Sequence, residues 1–535
     1  MKGIILIIIL MTFFNNIKIT YSQANLEWIA RYSGTLTGID GASKILTDLN
    51  GFVYVTGTSN GTSNNSDFCT IKYSPSGNQQ WLARYNGPAN GIDIAHAICL
   101  DDSGNVIITG GSDGIGTGSD FTTIKYDSLG IQKWVARYSS IGNHRDAAYD
   151  MVIDHNGNLL VTGISYGNVG FGDYYTIKYN SSGSQIWSSS YTDGTPYSIT
   201  VDNLNNVYVT GRSLGDFLTI KYNANGVQKW ITIYNGPMND NDAGEVVKVD
   251  SLGNVYVSGS SIGSMFYYDY ATVKYDSIGE QQWVRRYEGS GHYMDQVDDM
   301  TIDKAGNVYV TGNSAESGQG YNMTTIKYNT KGDTVWKASY NSGSNDIAYG
   351  IVVDNQGNVY VTGESDGSGT NEDYATVKYN SFGIQQWVKR YDYSGQFGDY
   401  PQAIALDNNG SVLVTGQSNR DFLTVKYSQL TGEIINESNI PTKYILSQNY
   451  PNPFNPTTNL EFGISKFGFI AIKVYDILGN EVKTLINENK PPGRYEVTFN
   501  ASNAKQGSDL PSGIYFYSLL IDGNTMDTKR MVLLK

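Results

Sequence analysis

Three sets of residues in this chain have types and spacings that could do chemistry. The first is G-x-S-x-G, a pattern that can set a serine nucleophile on a strained turn. It occurs at Gly57-Thr58-Ser59-Asn60-Gly61, at Gly363-Glu364-Ser365-Asp366-Gly367 and in four further repeats. A nucleophile elbow needs a strand–turn–helix setting and a histidine base. Here the pattern follows a strand, leads into a loop and recurs at equivalent places, so it reads as turn composition. The second set is the four histidines, His96, His144, His155 and His292, scattered over different repeats with no metal-ligand spacing and no His–Cys pairing. The third is an aspartate that opens a strand in most repeats: Asp67, Asp120, Asp173, Asp216, Asp269, Asp373 and Asp421, with Asn322 in the sixth. The Gly/Ser/Asn-rich loops before it could help a carboxylate bind Ca²⁺ through oxygens, which makes Asp67, Asp120, Asp173, Asp269 and Asp373 the calcium candidates. The competing reading is that each aspartate hydrogen-bonds its turn backbone. That reading is preferred, because no loop carries the spaced acidic ladder of a dedicated calcium site. No catalytic residue and no cofactor is expected.

The elements that would position these residues come from an internal repeat. GNVYVTG at Gly306–Gly312 recurs with small changes, ending at Gly57, Gly110, Gly163, Gly211, Gly259, Gly363 and Gly416, so copies lie 48 to 53 residues apart. Thr-Ile/Val-Lys-Tyr ends at Tyr73, Tyr126, Tyr179, Tyr222, Tyr275, Tyr328, Tyr379 and Tyr427. The eight tryptophans, Trp28, Trp81, Trp134, Trp187, Trp230, Trp283, Trp336 and Trp387, each have Tyr four residues later. A weaker apolar run precedes each VTG strand. Each unit therefore reads as four strands, A to D, with Asp-x-x-Gly-Asn turning A into B and Tyr-Asn/Asp-Ser-x-Gly turning C into D. Strand B is apolar or aromatic on both faces (Val308 and Val310 on one, Tyr309 on the other), as blades stacked around an axis require.

The chain enters with a lone D strand at Trp28 and leaves the last repeat after C at Tyr427. The expectation is an eight-bladed β-propeller of four-stranded blades over 23–430, its ring closed by the N-terminal strand so that no edge is left open. The tryptophans are expected to be blade-packing staples. Each would remove roughly 150–250 Å² from water, about 4–6 kcal/mol gross.

Over Trp28 to Tyr427 these residues resemble the β-propeller repeat family known as SBBP, whose name implies seven blades where this sequence counts eight. The turn Gly383-Ile384-Gln385-Gln386-Trp387 also resembles the docking element of quinoprotein-type eight-bladed propellers. In that family the element packs blades and is not the cofactor site, and its neighbouring half-cystines have no counterpart, since Cys69 and Cys99 are far apart. No copy matches the Asp box of sialidase propellers.

Both ends of the chain differ from the repeats. Lys2, an apolar run from Ile4 to Phe14 and a cut after Ser22 predict a signal peptide over 1–22, since the run is too short to span a bilayer. Five prolines fall before residue 441 and seven from there on. A linker is expected over 431–443, then a small Ig-like β-sandwich over 444–535 with strands at Ile470–Tyr475, Glu481–Leu485, Tyr495–Phe499, Ile514–Leu520 and Thr528–Leu534. The segment resembles the C-terminal sorting domain of type IX (Por) secretion substrates. The resemblance lies in Asn449-Tyr450-Pro451-Asn452-Pro453-Phe454-Asn455-Pro456, in Tyr475–Gly479, in Ser512-Gly513-Ile514-Tyr515-Phe516-Tyr517 and in Lys529–Lys535. Asn449, Pro451, Pro453, Phe454, Pro456 and Gly513 carry the sorting motif. The resemblance implies the type IX secretion machinery as a partner, passage across the outer membrane after export through the periplasm, and attachment to the cell surface or release.

A net charge of −14 argues against nucleic acid and anionic membrane as partners, and no later segment reads as membrane-integral. Strand polarity puts the short A–B and C–D turns on one face and the longer, variable B–C and D–A loops on the other. The variable loops, such as Phe266–Tyr268, Ser317–Tyr321 and Asp392–Asp399, are rich in Gly, Ser, Asn, Asp and Tyr. The B–C loops Arg212–Gly215 and Gln417–Arg420 are short. This composition favours a binding or adhesion module for glycan or protein. The alternatives are a polysaccharide hydrolase or lyase with carboxylates at the propeller mouth, and a purely structural display module. A localised cluster of acids and aromatics on the variable face would favour the enzyme.

Overall fold

The computed structural model describes residues 24–34, 38–61, 65–141, 144–167, 172–263, 266–318, 320–366, 372–393, 397–429, 441, 443–466, 468–490, 493–502 and 509–535. The expected signal peptide over 1–22 and all of the expected linker except Pro441 and Lys443 lie outside these residues, as do parts of the loops at 317–321 and 392–399. Every regular element among the described residues is a strand, and no helix is long and apolar enough to cross a membrane.

Eight four-stranded antiparallel sheets account for 24–429. The first comprises Gly41–Thr47 (A), Val53–Asn60 (B), Ser66–Tyr73 (C) and Gln79–Tyr85 (D), and this A-B-C-D order repeats through the seventh sheet. In the eighth, A to C come from Asp399–Leu406, Val412–Ser418 and Asp421–Gln429, and D is Ala24–Tyr32 from the start of the chain. Ala24 lies opposite Gln429 and Tyr32 opposite Phe422. Each A strand packs against the A strands of both neighbours, the first against the eighth included.

The apolar cores lie between sheets. Tyr256, Tyr270 and Trp283 of the fifth share a cluster with Met300, Val308, Val310 and Ile326 of the sixth. Val308, Tyr309 and Val310 are each fully buried, as expected for a strand covered on both faces.

The tryptophans act between blades. Seven indole N–H groups donate to a carbonyl in the next blade's C–D turn, as in Trp81 to Ser128 (3.0 Å), Trp187 to Ala224 (3.1 Å) and Trp28 to Pro75 (2.9 Å). Trp283, Trp336 and Trp387 are buried and the other five half-buried. The lysine of Thr-Ile-Lys-Tyr supports the same turn: Lys125 Nζ reaches the Ser181 carbonyl at 3.2 Å and Asp101 at 2.7 Å. Cys69 and Cys99 are free thiols.

The C-terminal region forms two sheets. One contains Ile445–Leu446, Thr457–Ile464 and Gly493–Asn500, and the other orders Glu481–Lys490, Gly468–Tyr475, Gly513–Ile521 and Asn524–Leu533. All five expected strands are present, and Ile445–Leu446 and Thr457–Ile464 are additional. Their core joins Phe454, Leu460, Phe462, Ile472, Phe499, Tyr517 and Leu533.

Candidate functional site at the centre of the A strands

Every A strand carries a β-bulge at the same place, where the register against strand B slips by one residue. Such a bulge adds an unpaired residue and re-aims its side chain. The glycine of VTG lies opposite the residue before the bulge. In the first blade a Cβ on Gly57 would stand 2.7 Å from Ala42 Cα, and in the seventh one on Gly363 would stand 2.7 Å from Ala348 Cα. Close backbone approach is what the motif's glycine provides, since only a residue without Cβ leaves room for the bulge.

The extra residues are Ser43, His96, Tyr149, Tyr197, Glu245, Asp298, Tyr349 and Gln402. Several of them interact with one another and with B-strand residues that follow the motif glycine: His96 with Tyr149, Tyr197 and Glu245 with Arg212, Asp298 with Glu245 and Glu364, and Tyr349 with Glu364. The blade repeats closely while these positions vary in size and charge. That difference between copies was the available signal. Sequence reasoning missed it because a bulge breaks the period-2 alternation by which a strand's faces are read.

Three of these acids are linked electrostatically. Asp298 of blade six lies in the field of Glu245 of blade five and Glu364 of blade seven. Burial pushes the Glu245 carboxyl up to about 7, with Arg212 pulling the other way. Burial, Glu245, Asp299 and Glu364 together hold Asp298 well above the usual range. Glu364 is raised by burial although the Tyr349 hydroxyl hydrogen-bonds it. Asp298 Oδ2 is shut off from solvent with no hydrogen-bond partner among the described residues. Lysines act elsewhere in the ring: Asp150 of the third blade lies in the field of Lys44 of the first and Lys248 of the fifth, and burial together with Lys44 lowers His96 to about 4. The His96 and Tyr149 rings meet edge to face at 5.5 Å, at the inner end of an open groove of about 530 Å³ lined also by Ile92, Ile94, Asp113 and Arg145.

The calcium candidates lie farther out, at the rim. Asp67, Asp120, Asp269 and Asp373 each place Oδ2 on a D-strand arginine: Arg84 (3.0 Å), Arg137 (2.8 Å), Arg286 (2.9 Å) and Arg390 (2.6 Å). The same guanidinium reaches the serine of G-x-S-x-G, as in Arg84 to Ser59 and Arg137 to Ser112, both 2.7 Å. These aspartates thus answer an arginine, where the sequence pointed to turn backbone. Asp173 has no arginine in its blade, Ser190 standing there, and it accepts the Asp193 backbone N–H at 3.1 Å. Among the described residues one carboxylate set, Asp373, Asp392 and Asp399, comes within single-ion distance, all ligand atoms lying within 4.8 Å. A further aspartate, at the start of most A strands, clamps the variable loops. Asp295 Oδ2 accepts the Gly289 N–H at 2.6 Å and its Oδ1 that of Ala315 at 2.8 Å.

His292 pairs with Glu288 at 2.7 Å, and the His155 backbone N–H bonds Asn205 Oδ1 at 2.9 Å.

In the C-terminal motif, Asn449 is the organising residue. Its backbone N–H donates to the Tyr517 hydroxyl at 2.7 Å, and its side-chain amide donates to the Pro451 carbonyl at 3.0 Å and to Thr458 Oγ1 at 2.9 Å. Phe454 enters the core beside Phe499, centroids 5.9 Å apart. Pro451, Pro453 and Pro456 follow cis peptide bonds, and Gly513 opens the strand Gly513–Ile521.

Residues 27–64, 184–217, 282–317 and 341–369 match the family model described as beta-propeller repeat, SBBP, and residues 448–533 match that described as secretion system C-terminal sorting domain. Four stretches of the chain are thus similar to the β-propeller repeat family. The chain carries SBBP repeats followed by a Por-type sorting domain, which marks it for type IX export to the cell surface or the medium. No curated protein matches it. Among solved structures it is similar to the Dos1 propeller (9% identity, 76% of this chain and 95% of that one, TM-score 0.48). It is also similar to the WD40 domain of SCAP from fission yeast (9% identity, 76% and 98%, TM-score 0.42). A third likeness is to a fungal alcohol oxidase of the AA5 family in complex with copper (14% identity, 96% and 100%, TM-score 0.39).

Proposed function

We propose that this protein is a secreted or surface-held binding module, a closed eight-bladed ring with an Ig-like sorting sandwich, that recognises glycan or protein at the central mouth of its variable face. The single observation that supports this most is the bulge in all eight A strands, which sets a residue of varying size and charge at the equivalent position of each copy of an otherwise repeated scaffold. Tyrosines at three of those positions supply large, rigid contact area at low entropic cost. The chain leaves the ring after Gln429, at the end of a C strand and so on the face of the uniform turns. A tether there leaves the mouth pointing away from the anchor.

The test is binding of the purified mature chain to arrays of polysaccharides and of extracellular proteins. Tyr349→Ala and Gln402→Ala are carried as mouth variants. Retained binding in both would place recognition elsewhere, and two blank arrays would end the binding reading for the classes displayed.

A second reading, a polysaccharide hydrolase or lyase, draws on Glu245, whose carboxyl near 7 suits proton transfer at neutral pH. New reducing ends or unsaturated uronate absorbance from an array polysaccharide, lost in Glu245→Gln, would establish it.

A further inference from the structure

We infer that the acidic sector of the mouth, Glu245, Asp298 and Glu364, receives an extended organic cation, the guanidinium or ammonium of a basic side chain on a protein partner. This rests on the mouth being the recognition site. Two other acids beside the bulges differ from Asp298 in a telling way. Asp150 Oδ2 takes the Ile199 N–H of the next blade at 2.9 Å, and Asp299 Oδ2 takes that of Ile351 at 3.0 Å. Those two carboxylates join blades. Asp298 Oδ2 is closed to solvent and has no hydrogen-bond partner among the described residues, so the fold leaves this acceptor unused. An enclosed acceptor without a donor is destabilising, a cost that an incoming N–H donor removes.

The geometry selects among cations. Glu245 and Glu364 both act on Asp298, yet the three are not among the carboxylates that converge within 4.8 Å. One metal ion would therefore not bridge them. A guanidinium, with five N–H donors spread over a planar fork, reaches acceptors set farther apart. The resident cation beside this sector, Arg212, is turned to Tyr197, which it hydrogen-bonds, and it acts on Glu245. The net charge of −14 supplies long-range attraction for a basic partner.

The experiment titrates fluorescent octa-arginine against the mature chain by anisotropy, with octa-glutamate as counter-probe and a chitosan oligomer as the amine-bearing glycan. Asp298→Asn and Glu364→Gln should each weaken octa-arginine about tenfold, as charge-assisted hydrogen bonds require. Glu280→Gln, an exposed acid on the opposite face, should leave binding unchanged. Equal losses in all three variants would mean diffuse charge attraction and overturn the inference. Unchanged binding in the Asp298→Asn/Glu364→Gln double variant with native circular dichroism would do the same. So would chitosan binding tighter than the peptide at the same residues, which makes the source a glycan. Should the variants misfold, the wild type still decides. Octa-arginine should bind more tightly as pH rises from about 6 to about 8, because Glu245 loses its proton there. The groups around Glu245 are Arg212 and Tyr197 of blade four, Tyr174 of blade three and Asp298 of blade six. A flat profile overturns the inference. If a glycan binds and Tyr349→Ala abolishes it while octa-arginine does not bind, the mouth reading stands and this inference falls. If nothing binds, both fall.

Discussion

Trp336 donates its indole N–H to the Ser381 carbonyl of the following blade at 3.1 Å, and the ring lies where a Cβ on Gly383 would stand, 2.7 Å from Cδ2. Trp387, one blade later, lacks this arrangement. The eighth blade takes C and D from opposite ends of the propeller, so no C–D turn follows, and Trp387 Nε1 is buried with no partner among the described residues. Gln429 partly fills the place, accepting from Lys378 and bonding the Tyr360 hydroxyl at 2.8 Å.

The two tryptophans should therefore respond differently to the same change. Trp336→Phe loses volume and a hydrogen bond, whereas Trp387→Phe loses volume alone and removes an unmatched donor. Trp336→Phe should be the more destabilising by about 1 kcal/mol in urea unfolding. Equal costs would show that the indole bond contributes nothing to blade stapling.

Glycines of two kinds should separate just as clearly. Gly312 sits against the Gln296 backbone at the bulge, while Gly104 lies in open space at φ 74°. Gly104→Ala should cost about 1–2 kcal/mol, the left-handed penalty of an L-residue. Gly312→Ala should cost at least 3 kcal/mol, roughly the scale of severe core strain, or abolish soluble expression, because backbone rather than a flexible side chain must move. A thermal melt of each variant decides between these outcomes.

The arginine clamp predicts a graded series across the rim aspartates. Asp269→Asn leaves Arg286 without its carboxylate and should cost about 2 kcal/mol, discounted for a partly exposed guanidinium. Asp173→Asn, with no arginine to orphan, should stay below about 1 kcal/mol. Chelator should shift the melting temperature of the wild type by less than a degree, since four of the five candidate carboxylates already hold a cation. A shift of several degrees would return calcium to the rim.

Stability should also depend on pH through Glu245. Its carboxyl is raised from 4.5 to about 7 in the folded protein, so between those values the native state binds the proton more tightly than the unfolded chain does. Stability from this group therefore falls as pH rises through that window, and the penalty is complete above about 7. A partly wet site should show about 1–2 kcal/mol of the effect. Glu245→Gln should flatten the slope between pH 5 and 8 in denaturant titrations, and an unchanged slope would assign it to other groups.

The blade framework was legible because period, turn glycines and aromatic positions agree in every copy, so that eight four-stranded units and the borrowed D strand could be read from Trp28 and Tyr427 alone. Two things were harder. The arginine clamp had a signal, Trp-x-x-Arg at Trp81–Arg84, Trp134–Arg137, Trp283–Arg286, Trp387–Arg390 and Trp28–Arg31. Its meaning emerges only when strands C and D pair and bring Asp67 beside Arg84. The mouth residues were hidden by the bulge, because Glu245 and Asp298 read as ordinary positions of an alternating strand until one residue is left out of register.

The pairing of Ala24 with Gln429 has a consequence for the order of folding. The strand Ala24–Tyr32, made before any of the A strands, finds its partner only when the last C strand has been made, so seven blades can assemble while an open edge remains. Loop-closure entropy grows only slowly with length, so the delay is one of sequence order more than of free energy. A chain interrupted anywhere before the eighth blade keeps that edge exposed, open to pairing with a strand of another chain.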